Sequence, residues 1–146
     1  MMELRRWRNA FDIPMNLEPR FEFPETDLPA TLALIGGMRL GADPAGLMFS
    51  FLRAMWLEER DIADPATIRL ILSENGLDPD SVLAEAATPG ATSDLDSFTR
   101  DAMDAGVFGI PCWEVGGELF WGQDRLPFVQ RALAGPGSST PGWLAV

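Results

Sequence analysis

A chain of 146 residues, 47% hydrophobic and 23% charged, has room for one ordinary domain with its own core and the composition of a globular protein rather than a disordered or fibrous one. Its net charge of −11 repels phosphate backbones and leaves no basic stripe for nucleic acid, and its longest apolar-rich stretch, Leu47 to Leu57, is broken by Ser50 and Arg53, so a membrane role is not expected. Histidine and tyrosine are both absent, which excludes Ser-His-Asp and Cys-His nucleophiles and histidine-ligated metals, and the carboxylates show no EF-hand or other metal spacing, so no metal is expected.

The opening "MMELRRWRNAF" carries Arg5, Arg6 and Arg8, but Glu3 and Asp12 and the lack of a serine-rich stretch argue against a mitochondrial presequence. No uninterrupted apolar block follows, so no signal peptide is read, and the single cysteine forms no internal disulfide; a cytoplasmic location is expected. Leu4, Trp7 and Phe11 recur at three and four residues and predict a helix. Residues 12–29 are proline-rich and irregular, and "LPATLALIGGMRL" reads as a helix weakened by Gly36-Gly37.

Asp-Pro then recurs at Asp43-Pro44, Asp64-Pro65 and Asp78-Pro79, each an N-cap followed by a proline at the first helical position. The first helix runs through "AGLMFSFLRAMWLEER", with Leu47, Phe51, Ala54 and Met55 on one face and Phe49, Leu52 and Trp56 widening it, and is expected to be central and largely buried. Glu58-Glu59 with Arg60 and Asp61 reads as its solvated end, and Met48, Met55 and Trp56 are candidates for the apolar half of a cleft. The second helix, Ala66 to Glu74, ends in Asn75-Gly76, and the third, Asp80 to Ala87, stops at Thr88-Pro89. Ser93 or Asp94 is expected to cap a further helix with Leu95, Phe98, Ala102 and Met103 on one stripe, ended by Gly106.

After Pro111, "CWEV" and "ELFW" alternate about a Gly-Gly pair, the pattern of a tight hairpin. A last helix follows, with Asp124 as its expected cap and Leu126, Phe128, Val129 and Leu133 facing inward, and then a tail, 135–146, that is flexible by composition. A lone hairpin is only marginally stable, so a free-standing domain calls for more strands than this sequence offers.

The run "FGIPCWEVGGELFWGQDR", with "LRRW", "DIP" and "AMWLEERDIADPATI" upstream, resembles the 2-hydroxychromene-2-carboxylate isomerases, relatives of the kappa-class glutathione transferases in the DsbA-like thioredoxin superfamily. The resemblance implies an α/β thioredoxin-like (DsbA-like) fold with a helical insertion. That domain would occupy 1–134, with 12–105 mostly helical insertion and 106–134 the hairpin and last helix. The family's opening strand, helix and strand have no counterpart here, so the chain should be mainly helical with one hairpin, and the family's sulfur-holding serine would lie ahead of Met1, leaving the catalytic residue unknown. Glutathione is the implied cofactor, a small aromatic carboxylate the implied substrate, and a homodimer is compatible with it. The family also implies a cis Ile110-Pro111 bond that exposes the Ile110 main chain to glutathione; on the residues alone, a trans proline before a strand is the commoner outcome. Gly122, Gln123 and Asp124 would hold the γ-glutamyl end, Asp124 on the ammonium and Gln123 on the carboxylate, although an aspartate there is also a plain helix cap.

Trp121 reads as core packing rather than a ligand contact, and Cys112 as an inert small hydrophobe, because a thioredoxin-type oxidoreductase needs a Cys-x-x-Cys pair. Two alternatives to the isomerase stay open: a non-catalytic module whose hairpin edge captures another strand, and a DsbA-like thiol-disulfide oxidoreductase.

Overall fold

The computed structural model describes residues 2–18 and 26–135. The chain divides into two compact units, Met1–Asp96 and Ser97–Val146.

The first unit is helical: α1 (Met2–Phe11), α2 (Leu28–Arg39), α3 (Pro44–Trp56), α4 (Pro65–Glu74), α5 (Pro79–Ala86) and the beginning of α6 (Pro89–Asp104). The Asp-Pro pairs act as the sequence indicates. Asp43 accepts from the amides of Ala45 and Gly46, Asp64 from Ala66 and Thr67, and Asp78 from Ser81, while each following proline gives up an N–H that has no helical acceptor in any case. The core gathers Leu47 and Phe51 of α3, Ile68, Ile71 and Leu72 of α4, and Val82 of α5.

Several expectations for this unit are corrected. Gly36 and Gly37 do not interrupt α2, which runs on to Arg39; they are buried where it meets its neighbours, and a methyl group on Gly36 would lie 2.6 Å from the Val82 carbonyl oxygen. Glycine is the residue that lets α5 come this close. Helix α3 stops at Trp56 and is buried on one face only: Met48, Phe49 and Leu52 are exposed, while Met55 packs against the core. The acidic end beyond it is no loose solvated tip, since Glu58 bridges Arg53 and Arg60 at 2.7 and 3.1 Å, and Glu59, at φ +55°, takes a hydrogen bond from the Asn16 side chain. Helix α6 starts four residues ahead of Ser93, at Pro89, because Thr88-Pro89 is a cap followed by a first-turn proline, the Thr88 hydroxyl accepting from Ala91 N at 3.3 Å. Of the stripe expected on it, Phe98 and Met103 are exposed. Part of the irregular stretch 12–29 falls outside the described residues, as does the tail from 136.

The second unit carries strands β1 (Cys112–Val115) and β2 (Glu118–Trp121), a 3-10 turn (Gln123–Arg125) and α7 (Leu126–Ala134). The strands pair antiparallel in the register Cys112↔Trp121 to Val115↔Glu118. Gly116 and Gly117, at φ +61° and +85°, make the two-residue turn, a conformation that disfavours any side chain. Among the described residues these two strands are the whole sheet. No described helix is long and apolar enough to cross a membrane.

Candidate functional site

The antiparallel register sets the geometry of the predicted site. Continuing it one step past the Cys112↔Trp121 pair, Gly122 N donates to the Pro111 carbonyl at 3.0 Å. This bond brings Pro111, and Ile110 before it, against the chain that turns into Gln123 and Asp124. The five residues singled out in the sequence thus fall into two short segments joined at one hydrogen bond.

Each has a defined state. The Ile110–Pro111 peptide bond is cis. Ile110 is 90% exposed, and its main-chain N–H and C=O have no hydrogen-bond partner among the described residues. Gly122 holds φ +108°, ψ 143°, which a side chain rarely adopts. Its missing side chain also makes room for Asp124, since a Cβ on Gly122 would lie 2.5 Å from Asp124 Oδ1. Gln123 is exposed at the head of the 3-10 turn.

Asp124 is not the cap of the last helix. It lies inside the 3-10 turn, closed by Arg125 N donating to the Gly122 carbonyl at 3.0 Å, and α7 starts at Leu126 with Arg125 in the cap position and no side-chain cap bond. The reason is local: Pro127, with no N–H to satisfy, opens the helix without a carboxylate. Asp124 is therefore exposed, its carboxylate 3.6 Å from Arg125 Nε and bound to no cap amide. Of the side chains expected to face inward from α7, only Val129 is buried; Leu126, Phe128 and Leu133 are exposed.

The hairpin has two faces. Phe120 and Glu118 turn toward α7, where with Phe128 and Arg131 they border a shallow recess of about 420 Å³ that none of the five predicted residues lines. Leu119 and Trp121 occupy the other face, and the chain leading to Ile110 passes over them: Gly106 approaches the Leu119 side chain, Phe108 packs on Trp121 at 5.0 Å between ring centroids, and Gly109 lies against the indole. Trp121 is 52% exposed, so the expectation that it is core packing is corrected. The alternation "ELFW" placed it on a face; what lies over that face is set by the incoming loop, which periodicity cannot show. Cys112 is a half-buried free thiol in β1.

Charged groups with displaced proton affinity lie in the other unit and have structural causes. The Thr67 hydroxyl, with the Thr67 and Ala66 amides, holds the Asp64 carboxyl below its usual range, and the Ser81 hydroxyl and amide do the same for Asp78. Arg39 is shifted up by Glu85 and Asp94, and Arg60 by Glu74. A polar depression lined by Ser50, Arg53, Glu58, Arg60, Glu74 and Asn75 is closed on itself, its guanidinium groups already paired with its carboxylates. These features explain helix ends and ion pairs, not a reaction centre. Among the described residues, no group of three or more carboxylates and thiols is placed to hold a metal ion.

Comparison with known proteins agrees with the fold just described. A family model, the DSBA-like thioredoxin domain, matches residues 1–134. The chain is similar to proteins named 2-hydroxychromene-2-carboxylate isomerase: one from Sphingobium xenophagum, 26% identical over 134 residues, covers 91% of this chain and 66% of its own. Another, from Pseudomonas sp. (strain C18), is 25% identical over 135 residues, covering 92% and 61%. A solved structure of 2-hydroxychromene-2-carboxylate isomerase matches with a TM-score of 0.70 at 27% identity, over 91% of this chain and 63% of that one. The chain spans just under two thirds of the length of these relatives.

Proposed function

The chain belongs to the DSBA-like thioredoxin domain family and has its fold, and from that premise we propose that it serves a glutathione-dependent isomerase or transferase acting on aromatic degradation intermediates such as 2-hydroxychromene-2-carboxylate. The observation that carries the reading is the unpartnered main-chain edge of Ile110, joined through the Gly122–Pro111 hydrogen bond to an uncapped, exposed Asp124.

This arrangement suits a γ-glutamyl tripeptide. An extended peptide laid beside Ile110 finds one N–H donor and one C=O acceptor at strand spacing, the logic of adding a strand to a sheet edge. Asp124 offers a carboxylate to an ammonium group, and Gln123 an amide to a carboxylate, so the pair reads a zwitterionic end by charge and by hydrogen bonding. Gly122 keeps the approach open, because a side chain there would meet the carboxylate of Asp124. When bound, glutathione supplies the nucleophilic thiol; the residues named here bind and orient it. A reducing compartment such as the cytoplasm suits both this cofactor and the single cysteine.

The test is conversion of 2-hydroxychromene-2-carboxylate by the purified chain with and without glutathione, beside calorimetric titration of glutathione itself. The reading expects binding, and turnover only when glutathione is present; no binding contradicts it. A second reading rests on one observation, that β1 and β2 make up the whole sheet among the described residues: a hairpin with open edges can capture a strand from another chain. Capture of a strand without any affinity for glutathione would favour that module.

A further inference from the structure

The contact between Gly109 and Trp121 gives a second role to a residue of this region. The φ of Gly109 lies outside the left-handed range, so its backbone conformation does not itself call for glycine. Space does. A Cβ at that position would lie 2.8 Å from Trp121 Nε1, nearer than real Cβ atoms approach a neighbour, and 3.4 Å from Cε2. The indole is therefore laid directly on the main chain next to Ile110, and Phe108, 75% exposed, closes on the same ring at 5.0 Å with the planes tilted by 52°. Trp121 is in turn fixed by the ladder, as the partner of Cys112 and the neighbour of Gly122. Half of its surface is open to solvent, so filling a core does not account for an indole here.

We propose that Trp121 is a positioning residue: its indole clamps Gly109 and so fixes the Ile110 main chain in the place from which it meets the tripeptide. The inference rests on the glutathione-binding reading above and extends it to a group that need not touch the ligand. A binding edge made of one exposed residue has no strand neighbour to hold it, and misplacement by an ångström is enough to lose most of its value. A flat, rigid ring on a residue without a side chain supplies that constraint at small entropic cost.

The experiment uses the full chain and the variants Trp121→Ala, Trp121→Phe, Gly109→Ala and Gly109→Ala/Trp121→Ala. Glutathione affinity is measured by calorimetry, and the Gly109 and Ile110 amide signals are followed in ¹⁵N spectra without ligand. Trp121→Ala is expected to weaken glutathione about tenfold and to shift or broaden both amide signals while those of Val115 and Glu118 hold; Trp121→Phe, which keeps a ring on Gly109, returns affinity to within about threefold. Gly109→Ala is expected to cost about tenfold, and the double variant no more than either single one, because the added methyl group occupies the space the indole has left. Gly109→Ala also keeps the test decisive if truncating the indole unfolds the hairpin. Unmoved Gly109 and Ile110 signals in a folded Trp121→Ala, or single effects that multiply to about a hundredfold in the double variant, overturn the clamp. Absence of glutathione binding by the unaltered chain overturns the binding reading instead, and the role in binding assigned to Trp121 with it, whatever the amide signals do.

Discussion

In Met1–Asp96 one set of apolar side chains forms a closed core, with Leu47, Ile71, Leu72 and Val82 completely enclosed, while others such as Phe49, Leu52 and Leu70 lie at the surface. In Ser97–Val146 Val129 is the one buried hydrophobic residue among those described, while Phe108, Ile110, Trp121, Phe128 and Leu133 stay exposed. The first unit is held by packing, the second by turn geometry and ladder hydrogen bonds. The difference teaches where to look for function. A helical core of this kind stabilises and leaves little for a ligand to touch, whereas an exposed apolar run beside unpaired main chain marks a recognition surface.

The sharpest way to break this contrast is to excavate both units. Leu72→Ala is expected to cost the helical unit about 3 kcal/mol, as for a fully enclosed leucine, and Val129→Ala about 1.5 kcal/mol for the smaller apolar surface it buries. Denaturant titration reads both, and equal losses would erase the distinction. Next comes close approach: Gly36→Ala, which sets a methyl group 2.6 Å from the Val82 carbonyl, is expected to cost about 2 kcal/mol through overpacking. Gly116→Ala, which only forces a side chain into the left-handed region at φ +61°, should cost about 1 kcal/mol. A thermal melt ranks the two, and the reverse order would mean that the hairpin turn, not the helix contact, is the tighter constraint.

The smallest effect concerns acid. Asp64 and Asp78 have carboxyl groups held below their usual range by hydrogen bonds from Thr67 and Ser81, so their stabilisation is complete above the unfolded value of about 3.9 and is lost as pH falls through the lowered folded values. The melting difference between the unaltered chain and Asp64→Ala/Asp78→Ala should thus be constant near neutrality and narrow only below about pH 4. A difference that widened in acid would contradict the cap assignment.

Much of this was legible in the sequence where the cause is local. Asp-Pro pairs announce helices because capping and the proline restriction act within three residues, and Gly116-Gly117 announces its turn for a similar reason. Ile110, Pro111, Gly122, Gln123 and Asp124 could be named for the same site because their motif was familiar, and the ladder does bring Pro111 to Gly122. The errors have tertiary or competing local causes. Thr88-Pro89 reads equally as a stop and as a start, and here it starts α6. Phe49 and Leu133 belong to apolar helix patterns, yet burial depends on a neighbour that no period encodes. Asp124 lost the cap to a 3-10 turn and a first-turn proline, and Trp121 was misjudged because the loop laid against it, which its own strand does not encode, leaves about half of the side chain exposed.

The account turns on the Ile110 main chain as a docking edge, and a ¹⁵N-resolved titration of the full chain with glutathione tests it most directly. The predicted result is saturable movement concentrated at the amides of Ile110, Gly122, Gln123 and Asp124, and strongly reduced in Asp124→Ala. Saturable movement confined to Met1–Asp96, or a spectrum that glutathione leaves untouched, would contradict it.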